Sequence, residues 1–391
     1  MTTEKNFSEN RAPKPGPNPM TKVGILGAGQ LGRMMALAGL PLGLEFSLYD
    51  TSGSPSAGIG EIFSDPGNTQ SELDRFLDSV DVVTYEFEHL PLDLARNIAA
   101  KKPLYPGVEA LRVCQNRALE KGLFKQLDIP TPKYRIANNA NELEQAAREL
   151  GTPVVAKSIT EGYDGKGQAV LKSPEDAAAA WQRIGHNSLI VESFVNFTRE
   201  LSLIAARNVK GEFVAYPLVE NIHHEGILRY TIAPAPKVSE SVQNTATDYI
   251  HKLMDQLSYV GVLALELFET PDGLLANEMA PRVHNSGHWS MDGAHTGQFE
   301  NHLRAILDLP LGETKADRVS AMINLIGRTV SPNEILTFKD THLHLYGKSE
   351  RAGRKVGHIN INADDYASLQ LKVQEALAKV PEHAPFQWHS D

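Results

Sequence analysis

Short apolar runs alternate with amphipathic stretches along the first third of the chain. Val23-Gly24-Ile25-Leu26 reads as a buried strand, Arg33 to Leu40 as a helix, and Glu45 to Asp50 as a second strand with an acid at its end. Asp81 to Glu86 is another strand, and Leu104-Tyr105-Pro106-Gly107 closes a further one. Strands separated by helices predict a parallel sheet covered on both faces, because each parallel connection must cross over the sheet. This unit closes near residue 115. Helices over Arg117–Leu127 and Glu142–Leu150 then introduce two strand-like runs, Pro153–Lys157 and Ala169–Lys172. Ser173-Pro174-Glu175-Asp176 is a helix start, with a capping serine and a proline in the first turn. Strand patterns resume at Leu189–Glu192 and Leu201–Ala206, and a helix near Thr245–Leu257 leads into strands Gly261–Phe268 and Gly273–Met279. The last segment, from about Ile326, holds a strand at Thr341–Tyr346 and a helix near Tyr366–Ala378. The expected class is α/β, with an α+β central part. Its units are a disordered tail (1–20), a first domain (21–115), a central domain (116–325, with a subdomain at about 121–186) and a small last domain (326–391).

Composition narrows the function. The 391 residues are 41% hydrophobic and 22% charged, ordinary globular values. A net charge of −10 argues against nonspecific nucleic-acid binding, which needs a basic surface to neutralise phosphates. Cys114 is the single cysteine, so an intrachain disulfide or a cysteine-based zinc site is excluded, and its surroundings suit a half-buried inert thiol. No apolar run reaches the ~18 residues of a membrane span. The first 19 residues lack the apolar core of a signal peptide, which leaves a cytoplasmic protein as the expectation.

Two glycine-rich segments point to phosphates. Gly27-Ala28-Gly29-Gln30-Leu31-Gly32 follows a strand and precedes a helix, and Asp50 lies 18 residues beyond Gly32. That pattern matches the dinucleotide fingerprint, but at root it describes backbone N–H groups at a helix N-terminus, which any phosphorylated ligand can use. A tight strand-to-helix turn would leave the same trace. The second segment, Gly162-Tyr163-Asp164-Gly165-Lys166-Gly167-Gln168, lies between two strands. Its glycines allow a sharp turn that gathers N–H groups, and Lys166 adds a mobile charge, as in a flap that closes over phosphates. An exposed hairpin with a loose loop is the competing interpretation.

An acidic hairpin supplies independent support. The strands around Glu266 and Glu278 flank Thr270-Pro271-Asp272-Gly273, which carries strong turn chemistry. A two-residue loop sets Glu266 opposite Asn277; a loop that includes Gly273 sets it opposite Glu278. Either way the two glutamates lie on adjacent strands, where facing carboxylates call for a cation or a proton. Few protein oxygens with phosphates completing the shell is the magnesium-nucleotide style of site. The dense polar run Arg282-Val283-His284-Asn285-Ser286-Gly287-His288 follows directly and suits a small oxyanion or a transferring phosphoryl group. Near the end, Lys348, Arg351, Arg354 and Lys355 stand against one acid, Glu350, as for a phosphate monoester.

These motifs together resemble the ATP-grasp enzymes, and among them the N5-carboxyaminoimidazole ribonucleotide synthetases of purine biosynthesis, over residues 21–391. The resemblance rests on the 27–34 and 162–168 segments, Tyr85-Glu86-Phe87-Glu88, the 277–288 run and Gly353-Arg354-Lys355-Val356-Gly357-His358. It implies a Rossmann-like first domain, a central ATP-grasp domain with a flap, and a small C-terminal domain. The implied reaction is ATP-dependent carboxylation of 5-aminoimidazole ribonucleotide by bicarbonate through carboxyphosphate. By this resemblance Arg117 and Lys157 match phosphate ligands of ATP, Glu192, Ser193, Phe194 and Val195 the strand that holds adenine, and Glu200 the ribose contact. His223 and Asn277 are further nucleotide-side positions, and Gly162 to Gln168 cover the triphosphate. Glu266 and Glu278 match Mg²⁺ ligands. Gln30, Leu31, Glu88 and Tyr163 meet the ribonucleotide, whose phosphate falls to Lys348, Arg354 and Lys355. Arg282, His284, Asn285, Ser286, Asp164 and Lys166 carry the catalytic roles, and a homodimer is implied. Lys166 stands where an arginine is often found, which exchanges a bidentate clamp for a point charge. Formate-dependent glycinamide ribonucleotide transformylation is the nearest alternative, an NAD-linked dehydrogenase the alternative from another class, and a noncatalytic scaffold a third.

Overall fold

A computed structural model describes residues 21–160, 167–185, 187–381 and 383–386. The expectations for the 1–20 tail and for Gly162, Tyr163, Asp164, Gly165 and Lys166 fall outside these residues.

The first unit is a parallel sheet, as its alternating pattern predicts. Strands β1 (Lys22–Leu26), β2 (Glu45–Asp50), β3 (Glu61–Ser64) and β4 (Val82–Tyr85) run in the order β3-β2-β1-β4. Helices α1 (Gln30–Gly39), α2 (Gln70–Asp78), α3 (Leu92–Lys101) and α4 (Val108–Cys114) cross between or follow them. Helix α1 starts at Gln30, three residues earlier than its apolar pattern suggests, directly off the glycine turn. The expected strand at Leu104 is only a single bridge to Val83.

Helix α5 (Arg117–Gln126) opens the next unit, and the Asn116 side chain caps it by accepting the N–H groups of Ala118 and Leu119. A four-stranded sheet follows, in the order β5-β8-β6-β7, from β5 (Tyr134–Ala137), β6 (Val154–Ser158), β7 (Gln168–Leu171) and β8 (Leu189–Ser193). Helices α6 (Ala140–Leu150) and α7 (Ala177–Ile184) close its own small core around Leu143, Val154 and Leu189.

The largest sheet has nine strands among the described residues. Strands β9 (Arg199–Arg207), β10 (Phe213–Ala215), β11 (Val219–His224), β12 (Ile227–Ala233), β13 (Gly261–Thr270) and β14 (Gly273–Ala280) supply one part of it. β15 (Val319–Ile326), β16 (Thr341–Leu345) and β17 (Lys355–Ala363) continue the same sheet, in the order β14-β13-β9-β11-β12-β15-β17-β16 with β10 beside β9. The segment after Ile326 therefore extends an existing sheet, and part of the basic stretch is strand β17. Helix α8 (Glu240–Gln256) begins five residues before the expected Thr245, capped by Ser239 accepting the Val242 N–H. Helices α9 (Ser290–Gly293), α10 (Gln298–Ile306), α11 (Pro332–Ile335) and α12 (Tyr366–Leu377) complete the chain. Met35 and Phe46 of the first unit share one core with Val262, Phe299 and Leu303, so the parallel sheet is anchored on the large one. No helix among the described residues is long and apolar enough to cross a membrane.

Candidate active site

Where the three sheets meet they leave a cleft of about 990 Å³. Its first wall is the glycine turn after β1, and an acid of the chain itself fills that turn. Glu86, at the end of β4, accepts the Gly29 N–H at 2.6 Å and the Gly32 N–H at 2.8 Å. Gly27 has φ +107°, and a Cβ there would lie 2.4 Å from the Glu86 Cγ. A pyrophosphate could reach these N–H groups only by expelling Glu86. Asp50 is likewise engaged, accepting the Ser52 hydroxyl at 2.7 Å. The dinucleotide fingerprint is thus a turn tied by a carboxylate, and Gln30 and Leu31 face the cleft from it. Burial pushes the Glu86 carboxyl upward, against the backbone N–H groups and Lys348. Next to it, Glu88 holds Arg282 through two oxygens. Burial alone would raise Glu88, but the Arg282 guanidinium brings it down to about 2.

The acidic hairpin combines features of both expected registers. Its loop is the two residues Pro271 and Asp272, with Thr270 opposite Gly273, but a bulge at Asn277 shifts the ladder so that Glu266 faces Glu278. Both glutamates line the cleft. His284 Nδ1 accepts the Ser286 N–H at 3.4 Å, which leaves Nε2 to meet Glu266 Oε1 at 3.2 Å. Burial pushes Glu266 upward, and the His284 contact outweighs it, leaving the carboxyl below its usual range. Glu278 has Arg117 Nη2 at 3.9 Å. Two carboxylates held in register on adjacent strands are a donor set that fits a hard divalent cation. Asn285 pairs its amide reciprocally with Asn324, at 3.0 and 2.7 Å. Ser286 is a correction: it is fully buried beneath the run and reaches His284 at 2.8 Å, so it supports that imidazole and does not face the cleft.

A lysine pair and an apolar wall define the opposite end. Lys157 of β6 meets Glu192 Oε2 at 2.6 Å, and Lys121 of α5 meets Oε1 of the same carboxylate at 3.0 Å. Burial would raise the Glu192 carboxyl, but the two ammonium groups bring it down to about 2. Ser193, Phe194 and Val195 continue from it along the cleft, where Phe197 stacks on Phe268 with centroids 4.9 Å apart. Beyond them Glu200 Oε2 lies 3.0 Å from His223 Nδ1. Burial would lower the His223 pKa, and Glu200 turns the shift upward. The third end is basic. Lys348 hydrogen-bonds Gln30, and Arg354 and Lys355 line the same wall.

Every described candidate lines the cleft except Gly167, which sits in the turn just before β7, and Ser286. Cys114 also borders it, with a thiol that burial raises well above its ordinary value. Sequence reasoning gave Glu86 no role beyond its place in the Tyr85–Glu88 motif, read Phe268 only as a strand residue, and passed over Glu120, Lys121 and Phe197. An acid-lysine pair in the first turn of the helix expected from Arg117 was the one available signal for Glu120 and Lys121. Glu120 accepts the Met279 N–H at 2.7 Å; burial first, then the Glu278 charge, raises its carboxyl to about 8.

A nucleotide-sized cleft under a small antiparallel sheet, floored by paired carboxylates, is the arrangement of an ATP-grasp enzyme. The ATP-grasp domain family matches residues 122–299, the ribonucleotide synthetase preATP-grasp domain residues 20–115, and the phosphoribosylaminoimidazole carboxylase C-terminal domain residues 320–372. The chain is 45% identical to the N5-carboxyaminoimidazole ribonucleotide synthase of Pseudomonas aeruginosa, over 92% of this chain and 99% of the relative. The Bacillus subtilis enzyme of that name is 40% identical, over 87% and 91%. Among solved structures, the Thermus thermophilus synthetase has a TM-score of 0.89 at 46% identity, covering 93% of this chain and 100% of its own. The chain belongs to the N5-carboxyaminoimidazole ribonucleotide synthase family. An Aspergillus clavatus member, solved in complex with ADP and 5-aminoimidazole ribonucleotide, has a TM-score of 0.84 at 30% identity, covering 93% and 99%.

Proposed function

We propose that this chain uses ATP and bicarbonate to carboxylate the exocyclic amine of 5-aminoimidazole ribonucleotide, releasing ADP and phosphate. The observation that carries this is the convergence, in one cleft, of a lysine-glutamate hinge, a facing carboxylate pair, a half-buried arginine with histidine and asparagine, and a basic end wall. Bicarbonate oxygen takes the γ-phosphoryl group, with ADP leaving, to give carboxyphosphate. The amine nitrogen then forms a bond to the carboxyl carbon as the bond to phosphate breaks, and the amine proton is lost. Phosphoryl transfer of this kind depends on positioning and charge more than on covalent chemistry.

In this reading Arg117 and Lys157 hold the ATP phosphates, and Glu192 to Val195 hold adenine beside the Phe197–Phe268 stack. Glu200 and His223 take the ribose side. Glu266 and Glu278 would hold Mg²⁺, whose charge neutralises the phosphates, and Asn277 is a further nucleotide-side position. Arg282, His284 and Asn285 position bicarbonate, and Ser286 orients His284. Gln30, Leu31 and Glu88 meet the ribonucleotide, and Lys348, Arg354 and Lys355 its phosphate. The 162–168 segment, with Tyr163, Asp164 and Lys166, is assigned to covering the labile intermediate on its sequence alone. A cytoplasmic homodimer with these three domains is the corresponding assembly.

ADP release should require 5-aminoimidazole ribonucleotide together with bicarbonate, and glycinamide ribonucleotide with formate should not replace them. Turnover with the formate pair, and none with bicarbonate, would overturn the assignment in favour of transformylation.

A further inference from the structure

Strand β14 is the edge of the nine-stranded sheet, so its outward N–H and C=O groups need partners from outside the sheet. They find them in α5 and the loop that follows it. Glu120 accepts the Met279 N–H at 2.7 Å, Lys121 donates to the Asn277 carbonyl at 2.7 Å, and Pro130 accepts the Ala276 N–H at 2.7 Å. Two of these contacts grip the residues on either side of Glu278, at the bulge that sets Glu278 opposite Glu266. Without the bulge the two-residue loop would place Asn277 there. Both side chains are almost wholly buried, with exposures of 2% for Glu120 and 1% for Lys121. Lys121 also shares Glu192 with Lys157, so the same ammonium ties the bulge to the lysine beside the nucleotide end of the cleft.

We infer that Glu120 and Lys121 are positioning residues which lock the bulged register of β14 and so set the two carboxylates for a divalent cation. The inference rests on the proposed metal role of Glu266 and Glu278. Groups that orient metal ligands from behind are typically worth about 10–100-fold in metal affinity. A leucine at 120 removes the acceptor for the Met279 N–H and a methionine at 121 removes the donor to Asn277, whereas Glu120→Gln and Lys121→Arg keep them.

The test is Mn²⁺ binding, read by electron paramagnetic resonance, in the presence of a nonhydrolysable ATP analogue. Glu120→Leu and Lys121→Met should each weaken Mn²⁺ binding by about tenfold or more. Glu120→Gln and Lys121→Arg should stay near the parent, and the KM for the ribonucleotide should not change in any of the four. If Glu120→Leu and Lys121→Met fail to fold, Lys121→Gln carries the test: its amide stops one bond short of the ammonium position and loses the Asn277 carbonyl, so weakened Mn²⁺ binding is expected and parental binding overturns the lock. Glu266→Gln is the control. Loss of Mn²⁺ there with parental binding in Glu120→Leu and Lys121→Met overturns the lock alone, whereas parental binding in Glu266→Gln overturns the metal site itself.

Discussion

Arg282 is largely buried at the cleft wall, with about a fifth of its side chain exposed; Glu88 takes two of its nitrogens and the Val283 carbonyl accepts a third at 3.1 Å. Removing one member of a buried ion pair leaves the other charged and unsolvated, which costs about 3–5 kcal/mol. Arg282→Met should therefore lower stability by roughly that amount, and Glu88→Gln in the same chain should recover a part of it. Urea unfolding of the two single variants and the double variant measures this; strictly additive losses would show that the pair is not coupled. Single residues were unevenly legible. Arg282, His284 and Asn285 announced themselves as a cluster of polar types, whereas the partners of Glu86 and Glu120 are backbone N–H groups far away in sequence, at Gly29, Gly32 and Met279.

At the scale of elements, local chemistry decided most of what could be read. The β2 bounds and the start of α5 follow from the local pattern, and the turn residues 270–273 mark the hairpin while leaving its two registers open. The Asn277 bulge does not follow from local pattern, because it depends on side chains of α5 packed against the sheet edge. A Glu225-Gly226 turn with positive φ at both residues joins β11 to β12 and Gly211 turns the chain before β10, but the apolar pattern of these short strands is weak and their order is set by their neighbours in the sheet. The glycine turn before α1 shows how a motif can be read correctly in form and differently in use. Its first glycine needs φ +107° and leaves no room for a methyl group beside Glu86. Gly27→Ala should destabilise the protein by about 2 kcal/mol or more, through backbone strain and displacement of that carboxylate. Thermal unfolding checks it, and an unchanged midpoint would mean that the turn is not tied as described.

The whole molecule is joined by buried polar groups as well as by apolar packing. His302 of α10 bridges the first unit to the large sheet: Nδ1 accepts the Val262 N–H at 3.1 Å, and Nε2 lies 2.8 Å from the Thr84 hydroxyl. Burial lowers its pKa from 6.5 to about 4. The unfolded chain then takes up a proton between these values that the folded chain refuses, so stability is complete above pH 6.5 and falls as the pH drops toward 4. That difference corresponds to about 3 kcal/mol. His302→Gln should shrink the loss of urea resistance between pH 7.5 and 5, and an unaltered pH slope would place the acid sensitivity elsewhere. The continuity of the last segment with the central sheet belongs to this scale too. A small trailing segment was legible in the chain, but its joining of the central sheet was not, since β17 pairs with β15, and β15 in turn pairs with β12 about 90 residues earlier in sequence.

The cleft acquires its meaning only when all three sheets contribute, and its central claim concerns the fate of bicarbonate. The most direct test is transfer of label from ¹⁴C-bicarbonate to 5-aminoimidazole ribonucleotide by the purified full chain with ATP and Mg²⁺. The account predicts label on the ribonucleotide in step with ADP release, and none when ATP is withheld. ADP release with no label on the ribonucleotide would contradict it.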